Sequence, residues 1–274
     1  MEVEEHIAEL QQDGELIAAA AERAGLTSTV PPCPAWQIRD LLRHTGHVHR
    51  WAARYVTGGL ARPVPDLSEA EILAGGPPDP ELIGWFRAGH ASLVAALTDA
   101  DPSLSCWTFL PAPSPRAFWA RRQAHETAIH RVDAELATPD SVTPVSAGFA
   151  TDGVDELIMG FFGRDQRKLT DTQRSGRLQT VQVRSTDTGG EWLVALTEDG
   201  TLAARVERRD GSENGGGSAG STASARADCT LTGPAAGLYL LLWNRADPAA
   251  AGVEVGGDGR VLTTWRRGMH VTWS

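Results

Sequence analysis

Lysine is almost absent from this chain: of 25 basic residues only Lys168 is a lysine, leaving 24 arginines, and the 35 acidic residues outnumber them all. The resulting formal charge of -10 and pI near 5.3 exclude nucleic acid or an anionic membrane as the main partner. Cysteine is scarce too. Cys33, Cys106 and Cys229 are odd in number and nowhere form a CxxC pair, which excludes a disulfide framework and a thiolate zinc knuckle. They read as reduced, ordinary residues, with Cys33 a small filler in a proline-rich turn. No apolar run approaches the roughly 18 to 20 residues of a membrane span. The N-terminal Met1-Glu2-Val3-Glu4-Glu5 carries acid where a secretory signal needs base, so a cytoplasmic protein is expected. No P-loop, GxGxxG or GxSxG motif occurs.

What is present begins with helices punctuated by proline and glycine. Ile7, Leu10, Leu16 and Ile17 are spaced for one buried stripe, predicting a first helix over 4–24. Pro31-Pro32-Cys33-Pro34 blocks its continuation, and Pro34 suits the first turn of a second helix that runs to Gly58-Gly59. After a proline-rich crossover, Asp79-Pro80 reads as an N-cap and first-turn proline for a third helix, and Ser114-Pro115 repeats the device for a fourth, halted before Pro139. Four helices with one long crossover predict a bundle over 1–142.

The second half changes character. Residues 147–164 predict one more helix, and 178–184, 191–197 and 202–207 predict strands of a meander, with Gly189-Gly190 and Asp199-Gly200 as hairpin signals. The serine- and glycine-rich 210–227 reads as a loop. A strand at 227–231, a helix over 233–245 and a final hairpin through Val253, Val255, Val261 and Leu262 complete the expectation. The fold class is therefore α+β overall, a four-helix bundle followed by a smaller α+β domain with an antiparallel sheet, over 147–274.

Chemistry concentrates in two helical segments, Asp40 to Trp51 with His44, His47 and His49, and His125 to Asp133. At about 100° per residue, Glu126 and His130 lie ~40° apart on one helix face, whereas His125 and His130 are ~140° apart. The second segment is therefore not the HExxH of zinc proteases. A Glu-x-x-x-His pair is also a common salt-bridged surface feature. The third ligand must come from the other segment. Periodicity leaves His44 and His49 both bordering the apolar stripe, with His47 further from it. Two imidazoles and one carboxylate suit Zn2+ with an open fourth position, and also suit non-haem iron. In the fourth helix Phe118, Arg122, Ile129 and Val132 read as the packed stripe. Asp133 is a candidate hydrogen-bond partner for a ligand imidazole or an exposed partner of His130. Trp51 and Trp119 read as packing residues that keep the site dry.

The run Pro32-Cys33-Pro34-Ala35-Trp36-Gln37-Ile38-Arg39-Asp40-Leu41-Leu42-Arg43-His44, together with Trp119 to Asp133, resembles the mycothiol-dependent maleylpyruvate isomerase family, whose N-terminal domain is a DinB-like metal-binding bundle. Gly233 to Arg245, Gly257-Asp258 and Trp265-Arg266 resemble the family's C-terminal module, so the resemblance covers nearly the whole chain. It implies three metal ligands, His44, Glu126 and His130, and a functional arginine at Arg245, a place where an arginine also satisfies the last carbonyls of its helix. It implies Zn2+ and mycothiol as cosubstrate. The abundance of alanine, glycine and arginine fits the GC-rich genome of an actinobacterium, where mycothiol is the low-molecular-weight thiol.

The function so implied is that of an enzyme in which a metal-activated thiolate adds to an electrophilic small molecule, as in isomerisation of maleylpyruvate to fumarylpyruvate. Arg245 would then hold a substrate carboxylate or steady the enolate. A mycothiol S-transferase uses the same centre, and a metal- or ligand-binding protein without turnover is the reading from another class. The expected partners are the electrophile and the thiol, with no nucleic acid, no membrane and a monomeric state.

Overall fold

The computed structural model describes residues 1–65, 67–162, 179–196, 202–204 and 227–268. The chain divides into two units, Met1–Thr143 and Pro144–Ser274. In the first, α1 (Val3–Ala24) buries Leu10, Ile17 and Ala21 along one stripe and ends at Gly25, whose φ of 81° only glycine adopts freely. The chain then forms a small antiparallel ribbon, β1 (Thr29–Val30) with β2 (Cys33–Gln37). The second helix therefore opens at Ile38 and not at Pro34. The reason is local. The N–H groups of Ile38 and Arg39 donate to Ser28 O (2.9 Å) and Leu26 O (3.0 Å), so the preceding turn takes the first donors of the helix. The Gln37 N–H donates to Asp40 Oδ2 at 2.9 Å and completes a capping box.

That helix, α2 (Ile38–Gly58), stops at Gly59 in the left-handed conformation. The crossover carries a short exposed helix, α3 (Glu69–Ala74), capped by Ser68. In α4 (Asp79–Asp99) the cap position belongs to Pro78, so Asp79 sits inside the first turn. Its carboxylate is used otherwise than expected. It pairs with Arg39 at 2.8 Å and Arg43 at 3.2 Å and ties α4 to α2. The Ser114 hydroxyl accepts the Ala117 N–H at 3.1 Å and starts α5 (Pro115–Leu136), as its sequence predicts. From Phe118 to Glu135 every residue of α5 except Arg121 is buried, which makes it the central helix of the unit. Trp51, Tyr55 and Trp107 pack around Trp119, whose fully buried indole N–H donates to Trp107 O at 3.1 Å.

In the second unit α6 (Ala147–Asp155) continues as a π-helical segment, Glu156–Phe162, where one regular helix is expected. The sheet order is β5-β4-β3-β6-β7, from β3 (Gln179–Ser185), β4 (Glu191–Leu196), β5 (Leu202–Ala204), β6 (Cys229–Gly233) and β7 (Glu254–Gly257). The first three strands form the expected meander, turning at Gly189 with φ 69°. The sheet is antiparallel except between β3 and β6, which run parallel. With β4 on one edge of β3, only the other edge is open to β6. A chain arriving from β5 reaches it by a crossover, which delivers a parallel strand.

Pro234 precedes α7 (Ala235–Leu242), and Gly237 is required there because a Cβ would lie 2.0 Å from Ala251 O. The expected second arm of a final hairpin is instead a helix, α8 (Val261–Gly268). Asp258 accepts the Arg260 N–H at 3.0 Å and turns the chain, after which Val261 and Trp265, one turn apart, are both buried. The Asp199-Gly200 signal and the loop over 210–226 lie outside the described residues.

Candidate metal centre

Two helices bring three side chains to one point. His44 lies in the second turn of α2, set there by the capping box, and its Nε2 is 3.4 Å from Glu126 Oε1. His130, one turn beyond Glu126 on α5, places its own Nε2 3.2 Å from the same oxygen. The two imidazoles meet edge to face with centroids 5.0 Å apart. One ligand atom from each of the three residues lies within 4.8 Å of the other two. Ligand atoms about 2.0 to 2.1 Å from a tetrahedral Zn2+ are separated by roughly 3.3 to 3.4 Å, close to the 3.4 and 3.2 Å that separate Glu126 Oε1 from the two imidazole nitrogens.

Around these three stand residues that hold them. Asp133 Oδ2 lies 2.9 Å from His130 Nδ1, so the carboxylate accepts from that nitrogen and leaves Nε2 facing Glu126. Arg122 Nη2 is 3.2 Å from the other oxygen of Glu126, Oε2. Trp36, on β2, lies against both imidazoles, with centroids 5.0 Å from His44 and 6.1 Å from His130.

The electrostatics follow from burial and partners. Burial pushes the Glu126 carboxyl up, but the His130 charge, hydrogen bonds from His130 and His44, and the Arg122 guanidinium override it and hold Glu126 well below the usual carboxylate range. For His130, burial works against the imidazolium, yet Glu126 and Asp133 raise it to about 9. At neutral pH, without an ion, these shifts leave Glu126 an anion and His130 a cation, a buried pair of opposite charge.

The remaining sequence candidates separate. His49 is fully buried on α2, but its Nε2 is 2.9 Å from Thr127 Oγ1, one residue along α5 from Glu126 and on another face. Burial and the neighbouring His90 keep its pKa well below the usual imidazole range, so it is neutral. His47 is half-buried and outside the cluster. His125 turns toward α1, where its ring is 6.0 Å from that of His6. Arg245 belongs to the second unit, just after α7, where its Nη1 donates to Trp243 O at 2.8 Å. All three cysteines are free thiols, and burial pushes Cys106 and Cys229 up.

Two participants were missed in the sequence. Arg122 reads there as part of the packed stripe, although an arginine in a buried stripe four residues before Glu126 is itself a signal for a buried ion pair. Trp36 is ninety-four residues from His130, and no local pattern joins them.

Comparison with known proteins agrees with this arrangement of elements. The mycothiol maleylpyruvate isomerase N-terminal domain model matches residues 7–135, and the C-terminal domain model of the same isomerase matches residues 148–264. The chain belongs to the mycothiol maleylpyruvate isomerase family. It is an enzyme of that family. Crystal structures of a mycothiol-dependent maleylpyruvate isomerase and of a histidine-to-alanine mutant of one each superpose with a TM-score of 0.61 at 12% identity, covering 93% of both chains. At that identity the likeness shows a shared fold. No curated protein matches the sequence. Among the described residues, no helix of this family member is long and apolar enough to cross a membrane.

Proposed function

We propose that the chain is a zinc- and mycothiol-dependent isomerase that converts maleylpyruvate to fumarylpyruvate in the cytoplasm. The observation that carries this reading is the convergence of His44 Nε2, His130 Nε2 and Glu126 Oε1, with Glu126 Oε1 3.4 and 3.2 Å from the two nitrogens, inside a largely buried site. These three residues would hold the ion, which when bound supplies a position that favours a thiolate over a thiol at neutral pH.

The chain's own residues do the rest. Asp133 keeps the His130 proton on Nδ1, so that Nε2 is the ligating atom. His130 would ligate through Nε2 as a neutral imidazole and Glu126 through Oε1, and the positive charge that a divalent ion would supply there favours an anionic thiolate. Trp36 shields both imidazoles from solvent. In this reading the thiolate adds to the activated cis double bond, the resulting single bond rotates, and departure of the thiolate leaves the trans product. Arg245 is proposed to hold a substrate carboxylate or the enolate charge.

Metal analysis of the purified protein, followed by incubation with mycothiol and maleylpyruvate, tests the reading. Bound zinc near one equivalent and fumarylpyruvate formed with the thiol returned free are expected. A stable thiol adduct would make the enzyme an S-transferase. Protein purified without bound metal that also takes up none on addition would overturn the metal reading.

A further inference from the structure

Among the described residues, Arg122 is a cation held against Glu126, and its side chain has no solvent exposure. Its Nη2 lies 3.2 Å from Glu126 Oε2, while Oε1 of the same carboxylate faces His44 Nε2 at 3.4 Å and His130 Nε2 at 3.2 Å. The carboxylate is thus divided, one oxygen committed to the guanidinium and the other to the ligand cluster. Helix geometry alone does not account for this pair, because the basic residue before the acidic one is the weaker i, i+4 order. Packing does not account for it either. A buried guanidinium is costly to desolvate, and an aliphatic side chain would fill the same stripe of α5 without that cost.

We propose that Arg122 is a positioning residue that keeps Glu126 a one-oxygen ligand and so leaves a coordination position for the thiol. The inference rests on the metal reading above. A carboxylate can ligate through one oxygen or two, and two would consume the position a tetrahedral centre reserves for an exogenous ligand. Binding the guanidinium withdraws Oε2 from that competition, and a buried pair is screened by salt far less than an exposed one.

The test uses the full-length protein loaded with Co2+, whose visible absorption distinguishes four-coordinate from five-coordinate centres. In Arg122→Met, which keeps length and loses the donors, the expected result is retained Co2+ stoichiometry, a change toward the five-coordinate spectrum and about 10-fold weaker mycothiol binding. Arg122→Lys keeps one donor and should recover part of both. Parental spectrum and mycothiol affinity in Arg122→Met would overturn the proposal. So would equal losses in both variants that track a fall in thermal midpoint, since that is the behaviour of a structural ion pair. Should Arg122→Met not fold, Arg122→Lys decides: a spectrum identical to the parent with unchanged affinity overturns the proposal, and a partial change of both supports it. Parent protein that takes up no Co2+ would instead overturn the metal reading, and this inference with it.

Discussion

Each unit is built around one interior helix, and the two helices could hardly differ more. In α7 the buried residues are Ala235, Gly237, Leu238, Tyr239, Leu241 and Leu242, an almost wholly apolar set. In α5 the buried residues include Arg122, Gln123, His125, Glu126, Thr127, His130, Arg131, Asp133 and Glu135. Apolar burial stabilises a helix at no electrostatic expense, as α7 shows. Burying charges does so only when every one finds a partner. A fold that needed α5 only for packing would have used residues like those of α7. The polar interior of α5 is therefore there for chemistry or for tying elements together, and its two halves divide along that line. Arg122, Glu126, His130 and Asp133 surround the candidate metal centre, whereas Arg131 pairs with Asp13 at 3.1 Å and with Glu135 at 2.8 Å and binds α5 to α1.

The comparison breaks most visibly at the ligands. Replacing His44, Glu126 or His130 one at a time (His44→Ala, Glu126→Gln, His130→Ala) should lower zinc affinity by more than the about 10- to 100-fold typical of residues behind a ligand, measured by competition with a chromogenic chelator. The secondary structure should persist in circular dichroism. Full zinc affinity in all three variants would mean that the polar face of α5 serves something else.

The opposite result is expected for α7. Leu238 is fully buried, so Leu238→Ala should cost about 2–5 kcal/mol in denaturant unfolding of its own unit and leave zinc content unchanged. A change in zinc content would blur the division between a chemical helix and a packing one.

The structural half of α5 has a pH signature. Burial raises the Asp13 carboxyl to about 6 against the pull of Arg131, with Glu9 and Glu135 adding to the rise. An acid whose pKa is higher in the folded state contributes stability that is complete below its unfolded value near 3.8 and lost as pH rises through about 6. Between those limits about 3 kcal/mol of unfolding free energy should disappear, at roughly 1.36 kcal/mol per pKa unit. Asp13→Asn should flatten that part of the profile, which a urea titration series from pH 3.5 to about 7 reads directly. A profile as steep in the variant as in the parent would place the pH dependence elsewhere.

How much of this was legible beforehand depends on the distance over which each feature is decided. The start of α5 at the Ser114 cap and the stop of α2 at Gly59 follow from capping and glycine chemistry within a few residues, whereas α4 opens at Asp79 behind Pro78 and not behind an Asp79 cap. The pairing of Glu126 with His130, and the separation of His125 from both, follow from helical angle alone. Where a local signal competed with a slightly longer one, the longer one won. Pro34 can open a helix, but the ribbon from Thr29 to Gln37 claims it first. Val261 and Leu262 look like strand residues until Trp265 finds its place beneath α7, its indole N–H donating to Leu242 O at 2.9 Å.

The sequence by itself determined that one helix would present a carboxylate and an imidazole on a common face, because covalent geometry dictates residue spacing along a helix. It also determined that the chain would be acidic, without a disulfide framework, and helical in its first half and mixed in its second. Only the tertiary structure decided that His44 meets that pair while His49, level with it by periodicity, meets Thr127. It alone revealed that Arg122 and Trp36 join the site and that β6 enters the sheet parallel to β3. Those outcomes depend on how two helices rotate and slide against each other and on which sheet edge stays open. Such choices are made by the packing of the whole interior, and no window of neighbouring residues contains them.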